Sequence, residues 1–246
     1  MVDTPVVPSL ASTLIVVRAG ADAPEILLMK RHARSRFMPD AYVFAGGSLD
    51  AADAGERMYG LCANLQDARA SEILGMPRDG LQFFVAAVRE CFEECGILFA
   101  YDCEDRLIGA GARQVHQLQH MRAELHAGRL DLGALCAGQG WHLAVDQLTY
   151  FSHWITPIER SRRFDTRFFV AAAPAGQEAS LAGEEMSDLL WLSAARALEE
   201  HAEERLQLRL PTRTILEEMA RFENLSGLLE FVRERRKIAP ILPQLR

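Results

Sequence analysis

No pair among the chain's 5 cysteines (Cys62, Cys91, Cys95, Cys103 and Cys136) is spaced Cys-x-x-Cys. The odd count and the lack of such a pair argue for reduced thiols in a cytoplasmic protein. Met1 to Ser9 has no basic stretch leading into a long apolar core, so an export signal is not expected. No apolar run approaches the ~20 residues that would span a bilayer. The C-terminal Pro-Gln-Leu-Arg is not a Ser-Lys-Leu peroxisomal address. An excess of positive charge is also missing: the formal net charge is −7. Bulk attraction to nucleic acid or to an anionic membrane is thereby excluded. Arg233, Arg235, Arg236 and Lys237 form a basic cluster, but such a cluster at a helix end also suits the helix dipole. No internal repeat or low-complexity tract is present.

What is there is a core and a concentration of acids. At 246 residues and 49% apolar composition, the chain suits one large domain, 1–246, with appendages. Ala86 to Ile97 holds Arg89, Glu90, Glu93 and Glu94. At ~100° per residue the three acids share one arc of a helix. Val85, Val88, Cys91, Phe92 and Cys95 fall opposite. Arg89 stands four residues before Glu93, close enough to pair with it, and Gly96 is a C-terminal stop. Clustered carboxylates suit a hard divalent cation, Mg²⁺ or Mn²⁺, held by one or two carboxylates and by substrate phosphates. A solvated acidic face is the alternative.

Arg89-Glu90-Cys91-Phe92-Glu93-Glu94-Cys95-Gly96-Ile97 resembles the second half of the Nudix box. In that family the motif opens on a glycine, followed after five residues by Glu. Here Gly47 and Asp53 hold that spacing, with Asp in place of Glu. The arginine is then due at position 61 and arrives 28 residues later, so the box is split. A subgroup that includes peroxisomal coenzyme A diphosphatases has such an insertion. Leu27, Leu28, Arg31, Arg36, Phe44, Gly46 and Gly47 are also similar in spacing to the coenzyme A signature of Nudix diphosphatases. His32, Asp40 and Ala45 depart from it. His153 to Pro157 and Arg163 to Phe169 resemble the same subgroup.

The resemblance implies a Nudix-type α/β/α sandwich with a mixed central sheet, with insertions at about 54–80 and 104–140 and C-terminal helices at about 209–237. It implies metal-dependent hydrolysis of a pyrophosphate linked to a nucleoside. Coenzyme A or acyl-coenzyme A is the leading substrate, cleaved to 3′,5′-ADP and (acyl-)4′-phosphopantetheine. ADP-ribose, NADH and dinucleoside polyphosphates are the alternatives, as is a non-catalytic nucleotide sensor. Metal ligation is assigned to Glu90, Glu93 and Glu94. Arg89, Glu93 and Glu185 carry the catalytic roles, with Arg89 holding the acids in register and Glu178 and Glu184 as alternatives to Glu185. Arg31, Arg36, Gly46 and Gly47 bind substrate, the arginines through phosphate oxygens and the glycines by letting the backbone approach closely. A solvated basic loop is the plain alternative for the arginines. The partner is a small-molecule nucleotide, not nucleic acid or membrane, and homodimerisation stays open.

Along the chain, strands are predicted at Ser12–Arg18 and Glu25–Lys30 as a hairpin, then at Tyr42–Phe44, Ile97–Ala100 and Leu148–Thr156, with Arg162–Val170 supplying a turn and a strand and Ser187–Leu192 the last. Helices are predicted at Asp105–Ala127, Leu132–Ala137, Thr212–Phe222 and Ser226–Lys237, and from Ser193 to Glu200. Asp79, Ser193 and Thr212 are the expected N-caps. His116 and His120 stand at i and i+4 but lack a third ligand and read as a solvated face. Phe168 and Phe169 must face opposite sides of one strand. Trp154 is either core or an adenine stack.

Overall fold

The structure is a computed structural model that describes residues 6–35, 38–109, 112–183, 185–235 and 237–244. Arg36, Glu184 and Arg236 lie outside the described residues. The first strands are β1 (Ser9–Arg18) and β2 (Glu25–Arg31), an antiparallel hairpin, followed by β3 (Ala41–Val43) and β4 (Ala45–Ser48). Helices α1 (Glu56–Tyr59), α2 (Asp67–Leu74) and α3 (Leu81–Cys95) come next. Then follow β5 (Ala100–Tyr101), α4 (Ala112–His126), α5 (Leu132–Gln139) and β6 (His142–Leu143). The chain closes with β7 (Thr149–Ile155), β8 (Phe164–Ala172), β9 (Met186–Ser193), α6 (Ala194–Ala202), β10 (Gln207–Leu208), α7 (Leu210–Met219) and α8 (Leu225–Glu234).

The main sheet runs β10-β3-β2-β1-β8-β7, with β4 also on β1 and β9 also on β2. It is mixed: β1 lies parallel to β8 from Ser9↔Phe164 to Val17↔Ala172 and antiparallel to β4. Each face of this sheet carries its own core. Leu14, Val16, Leu27 and Met29 pack with Phe84, Val88 and Phe92 of α3 on one face. Ile15, Val17, Ile26 and Leu28 pack with Ile215 and Leu216 of α7 and Leu228 and Val232 of α8 on the other. Alternation along a strand separates the two sets, and burial on both faces is why β1 and β2 read as nearly continuous apolar runs. Phe168 and Phe169 divide between the same two cores. Each fully buried Phe or Leu contributes ~1.5–3 kcal/mol of transfer free energy. Trp154 is core: it is 6% exposed, and its indole N–H donates to Ser152 Oγ at 3.0 Å.

Several sequence expectations are corrected. The strand predicted at Ile97–Ala100 is only Ala100–Tyr101, and it pairs with His142–Leu143 in a separate small sheet. The helix predicted from Asp105 begins at Ala112. Ser187–Leu192 lies within β9, but β9 is not the last strand, because Gln207–Leu208 adds to β3. Thr212 does not cap α7; it lies buried inside a helix whose N-cap is Arg209, with Pro211 in the first turn. Asp79 does not cap α3 either, since the N-cap position is Gly80. The first-turn donors are met from α2 instead: Leu81 N–H donates to Asp67 Oδ1 at 2.9 Å and Gly80 N–H to Ser71 Oγ at 2.9 Å. Ser193 caps α6 as expected, accepting from Arg196 N–H. Among the described residues no helix is long and apolar enough to cross a membrane.

Candidate active site

Helix α3 buries Phe83, Phe84, Val85, Val88, Cys91, Phe92 and Cys95, which turns the arc with Arg89, Glu90, Glu93 and Glu94 toward β4 and the turn after it. Gly96 at φ +76° ends the helix in the left-handed region, where glycine carries no Cβ penalty.

Arg89 is the hub. It grips Asp53 with two parallel hydrogen bonds, Nε to Oδ1 at 2.7 Å and Nη2 to Oδ2 at 2.9 Å. Nη2 also donates to the Ser48 carbonyl at 3.0 Å, and Nη1 donates to Glu90 Oε1 at 2.8 Å and Glu93 Oε2 at 3.3 Å. All five N–H groups of the guanidinium are thus directed at acceptors within the protein. Asp53 is fully buried and also accepts the Asp50 N–H at 2.7 Å, so the turn after Gly47 is tied to α3 across the insertion. Burial alone would lower the Arg89 pKa, but the Asp53 hydrogen bond and the charges of Glu90 and Glu93 outweigh it and hold the pKa above its ordinary value.

Glu94 points into β4: its Oε2 accepts the Gly46 N–H at 2.8 Å. Gly47 faces Glu90; a Cβ there would stand 2.6 Å from Glu90 Cδ and Oε2. The close approach that Gly47 permits is therefore to a carboxylate of α3. Glu93 is the most open of the three. Glu185, on the stretch leading into β9, accepts from Arg31 Nη2 at 2.8 Å, and its charge acts on Glu94. The structure thus brings together Arg89, Glu90, Glu93, Glu94, Gly46 and Gly47, with Arg31 and Glu185 beside them. Glu178 lines a cavity next to Gly96 instead.

Burial drives the electrostatics. Glu90 is pushed up to about 7 by desolvation, only partly offset by Arg89 and reinforced by Glu93 and Asp53. Glu94 is driven well above the carboxylate range by desolvation and then by Glu90. Glu93 is also raised, burial outweighing Arg89. Four carboxylates against one guanidinium leave negative charge uncompensated on hard oxygen donors. That donor chemistry fits a divalent cation. Among the described residues no three acidic, histidine or cysteine side chains are already gathered around one point.

The structure adds three side chains to this set. Asp53, whose motif position calls for it to meet the second half of the box across the insertion, is the principal partner of Arg89. Arg122 and His126 of α4 both reach the Glu93 carbonyl, at 2.9 and 2.8 Å. Neither carries a spacing signal. His116 and His120 are exposed on the same helix.

The fold and its acid-bearing helix are those of a Nudix hydrolase. A crystal structure of a Nudix hydrolase from Alicyclobacillus acidocaldarius superposes with a TM-score of 0.71 at 25% identity, covering 91% of this chain and 96% of that one. The family model of the NUDT19 Nudix domain matches residues 64–221, more than half of the sequence, and the chain belongs to that family. It is similar to the acyl-coenzyme A diphosphatase NUDT19 of Xenopus laevis, 26% identical over 238 residues that cover 85% of this chain and 63% of the frog protein. It is similar also to the human protein of that name, 28% identical over 244 residues covering 86% and 64%. The chain therefore spans just under two-thirds of the length of these relatives.

Proposed function

We propose that the chain is a metal-dependent hydrolase of a nucleoside pyrophosphate linkage. On this reading it cleaves coenzyme A or acyl-coenzyme A to 3′,5′-ADP and (acyl-)4′-phosphopantetheine. The observation that carries the reading is the arrangement around Arg89, which draws Asp53, Glu90 and Glu93 onto one guanidinium while Glu94 reaches the backbone of Gly46. The substrate class is supported by the names of the relatives and by Arg31, whose guanidinium pairs with Glu185, an acid whose charge acts on Glu94.

Glu90, Glu93 and Glu94 would hold Mg²⁺ or Mn²⁺, which when bound supplies charge neutralisation at the phosphoryl oxygens. Arg89 is a positioning residue; with its donors occupied, it orients carboxylates rather than touching substrate. Arg31 binds a phosphate oxygen through its planar fork. Glu185 is the acid beside the cluster with the most solvent access, its side chain 61% exposed. In this reading it takes the proton of the attacking water, and its ion pair with Arg31 aims it. ADP-ribose, NADH and dinucleoside polyphosphates remain as competing substrates, because the pyrophosphate they share is the group these residues address.

The test is a hydrolysis screen over coenzyme A, acyl-coenzyme A, ADP-ribose, NADH and diadenosine polyphosphates, with Mg²⁺, Mn²⁺ or EDTA and products identified by mass spectrometry. Cation-dependent release of 3′,5′-ADP is expected. Turnover of none of them, or turnover unaffected by EDTA, refutes the proposal.

A further inference from the structure

Helix α3 must satisfy the carbonyls of its last turn, which have no partner within the helix. The Phe92 carbonyl accepts the Gly96 N–H at 3.0 Å, and the Cys95 carbonyl accepts the Ser180 N–H at 2.9 Å. The Glu93 carbonyl receives two side chains from α4, one turn apart: Arg122 Nε at 2.9 Å and His126 Nε2 at 2.8 Å. Arg122 does not stop there. Its Nη1 donates to the Ser180 carbonyl at 2.7 Å and lies 3.2 Å from Ser180 Oγ. One guanidinium therefore spans three segments: α4, the end of the acid-bearing helix, and the backbone at Ser180.

The arrangement is closely built. Arg122 is 5% exposed, and a Cβ on Gly96 would stand 3.0 Å from its Nη1. Burying a cation whose hydrogen bonds go to backbone carbonyls and a hydroxyl, with its Nη2 left without a partner, is costly. The cost is offset in part because a cation at the C-terminal end of α3 meets the negative end of the helix dipole. Arg122 also lines a cavity of about 470 Å³ together with Gly96, Gln119 and Ser180.

We propose that Arg122, seconded by His126, is a positioning residue that locks the C-terminal turn of α3 to the Ser180 backbone, fixing the turn that carries Glu93 and Glu94. The assignment rests on the metal-hydrolase reading above. Lysine cannot replace it, because a single ammonium on a flexible stem lacks the planar fork that reaches both carbonyls at once.

The experiment compares the wild type with Arg122→Ala, Arg122→Lys and His126→Ala. It measures kcat and KM, Mn²⁺ affinity by calorimetry, and rescue by guanidinium. Arg122→Ala should lose ~10–100-fold in kcat and in Mn²⁺ affinity, the range for groups that orient metal ligands, with KM near its wild-type value. Arg122→Lys should behave like Arg122→Ala. Millimolar guanidinium should recover much of the Arg122→Ala loss, since the space vacated joins the existing cavity; urea at the same concentration should not. His126 is exposed, so His126→Ala keeps the fold and should move Mn²⁺ affinity and kcat in the same direction, more weakly. Wild-type Mn²⁺ affinity and kcat in folded Arg122→Ala overturn the inference, as does full activity in Arg122→Lys or a loss that guanidinium leaves untouched. If Arg122→Ala does not fold, an unaltered His126→Ala overturns it. A wild-type protein that neither binds Mn²⁺ nor turns over any pyrophosphate sinks the metal-hydrolase reading instead.

Discussion

Adding one methyl group to each of the adjacent glycines should have opposite consequences. Neither Gly46 nor Gly47 has a positive φ, so alanine is conformationally permitted at both, and only space decides. At Gly46 the new Cβ would stand 2.5 Å from the Ser12 carbonyl oxygen and 2.7 Å from Thr13 Cα. Those are backbone atoms of β1, and Gly46 is paired with Thr13 in the ladder. Nothing there can swing aside, so β4 must part from β1. Overpacking of this kind costs ~1–3 kcal/mol, which for a domain of this size lowers Tm by ~2–4 °C per kcal/mol. At Gly47 the three nearest atoms all belong to the Glu90 carboxylate, the far end of a flexible side chain. That tip can move, so the cost in stability stays under ~1 kcal/mol. Moving it, however, pulls Glu90 from Arg89 and from its neighbours, and Mn²⁺ affinity and turnover should fall ~10–100-fold. Differential scanning calorimetry and Mn²⁺ titration of both variants, metal-free at the start, read the two effects separately. If Gly47→Ala melts as low as Gly46→Ala, or binds Mn²⁺ as the wild type does, the placement of Glu90 against Gly47 is wrong.

Glu94→Gln keeps the shape and the acceptor for the Gly46 N–H, so Tm should hold or rise while cation-dependent turnover drops by ~10–100-fold or more; unchanged turnover at saturating Mg²⁺ would remove Glu94 from the site. Arg31→Ala should lower kcat/KM for coenzyme A by the equivalent of ~1.5–3 kcal/mol, the value of a hydrogen bond to a charged group. Comparison with a substrate lacking the 3′-phosphate tells which phosphate Arg31 reads, equal losses pointing to the shared pyrophosphate and no loss for either contradicting the assignment. Asp165 accepts from His153 and from Arg167, both at 2.5 Å. Burial pulls its pKa upward, but those two partners outweigh it and hold the pKa below the ordinary aspartate value. Its stabilisation is therefore present above pH ~3.9 and lost as pH falls through the lower folded value. Asp165→Asn should cost ~3 kcal/mol at pH 7 by leaving buried Arg167 without its counter-charge, and urea titrations should show the gap to wild type narrowing below pH ~3.9; a gap that widens there would contradict the sign.

What the sequence determined by itself was everything that local spacing encodes. The arc of Glu90, Glu93 and Glu94, the reach of Arg89 to Glu93 and the stop at Gly96 depend on a helical period that a dozen residues already state. The β1–β2 hairpin and the opposed faces of Phe168 and Phe169 follow from a period of two. What only the tertiary structure decided are the partners that arrive from far along the chain. Asp53 meets Arg89 with two parallel hydrogen bonds across 36 positions, while α2 of the intervening segment packs against α3. Asp67 and Ser71 satisfy the start of α3 in place of Asp79, and Arg122 and His126 satisfy its end. A side chain that serves a remote backbone group obeys no spacing rule, since any segment brought near by packing can supply the donor. The same reason hides β10, two residues too short to show a period and defined only by the strand beside it.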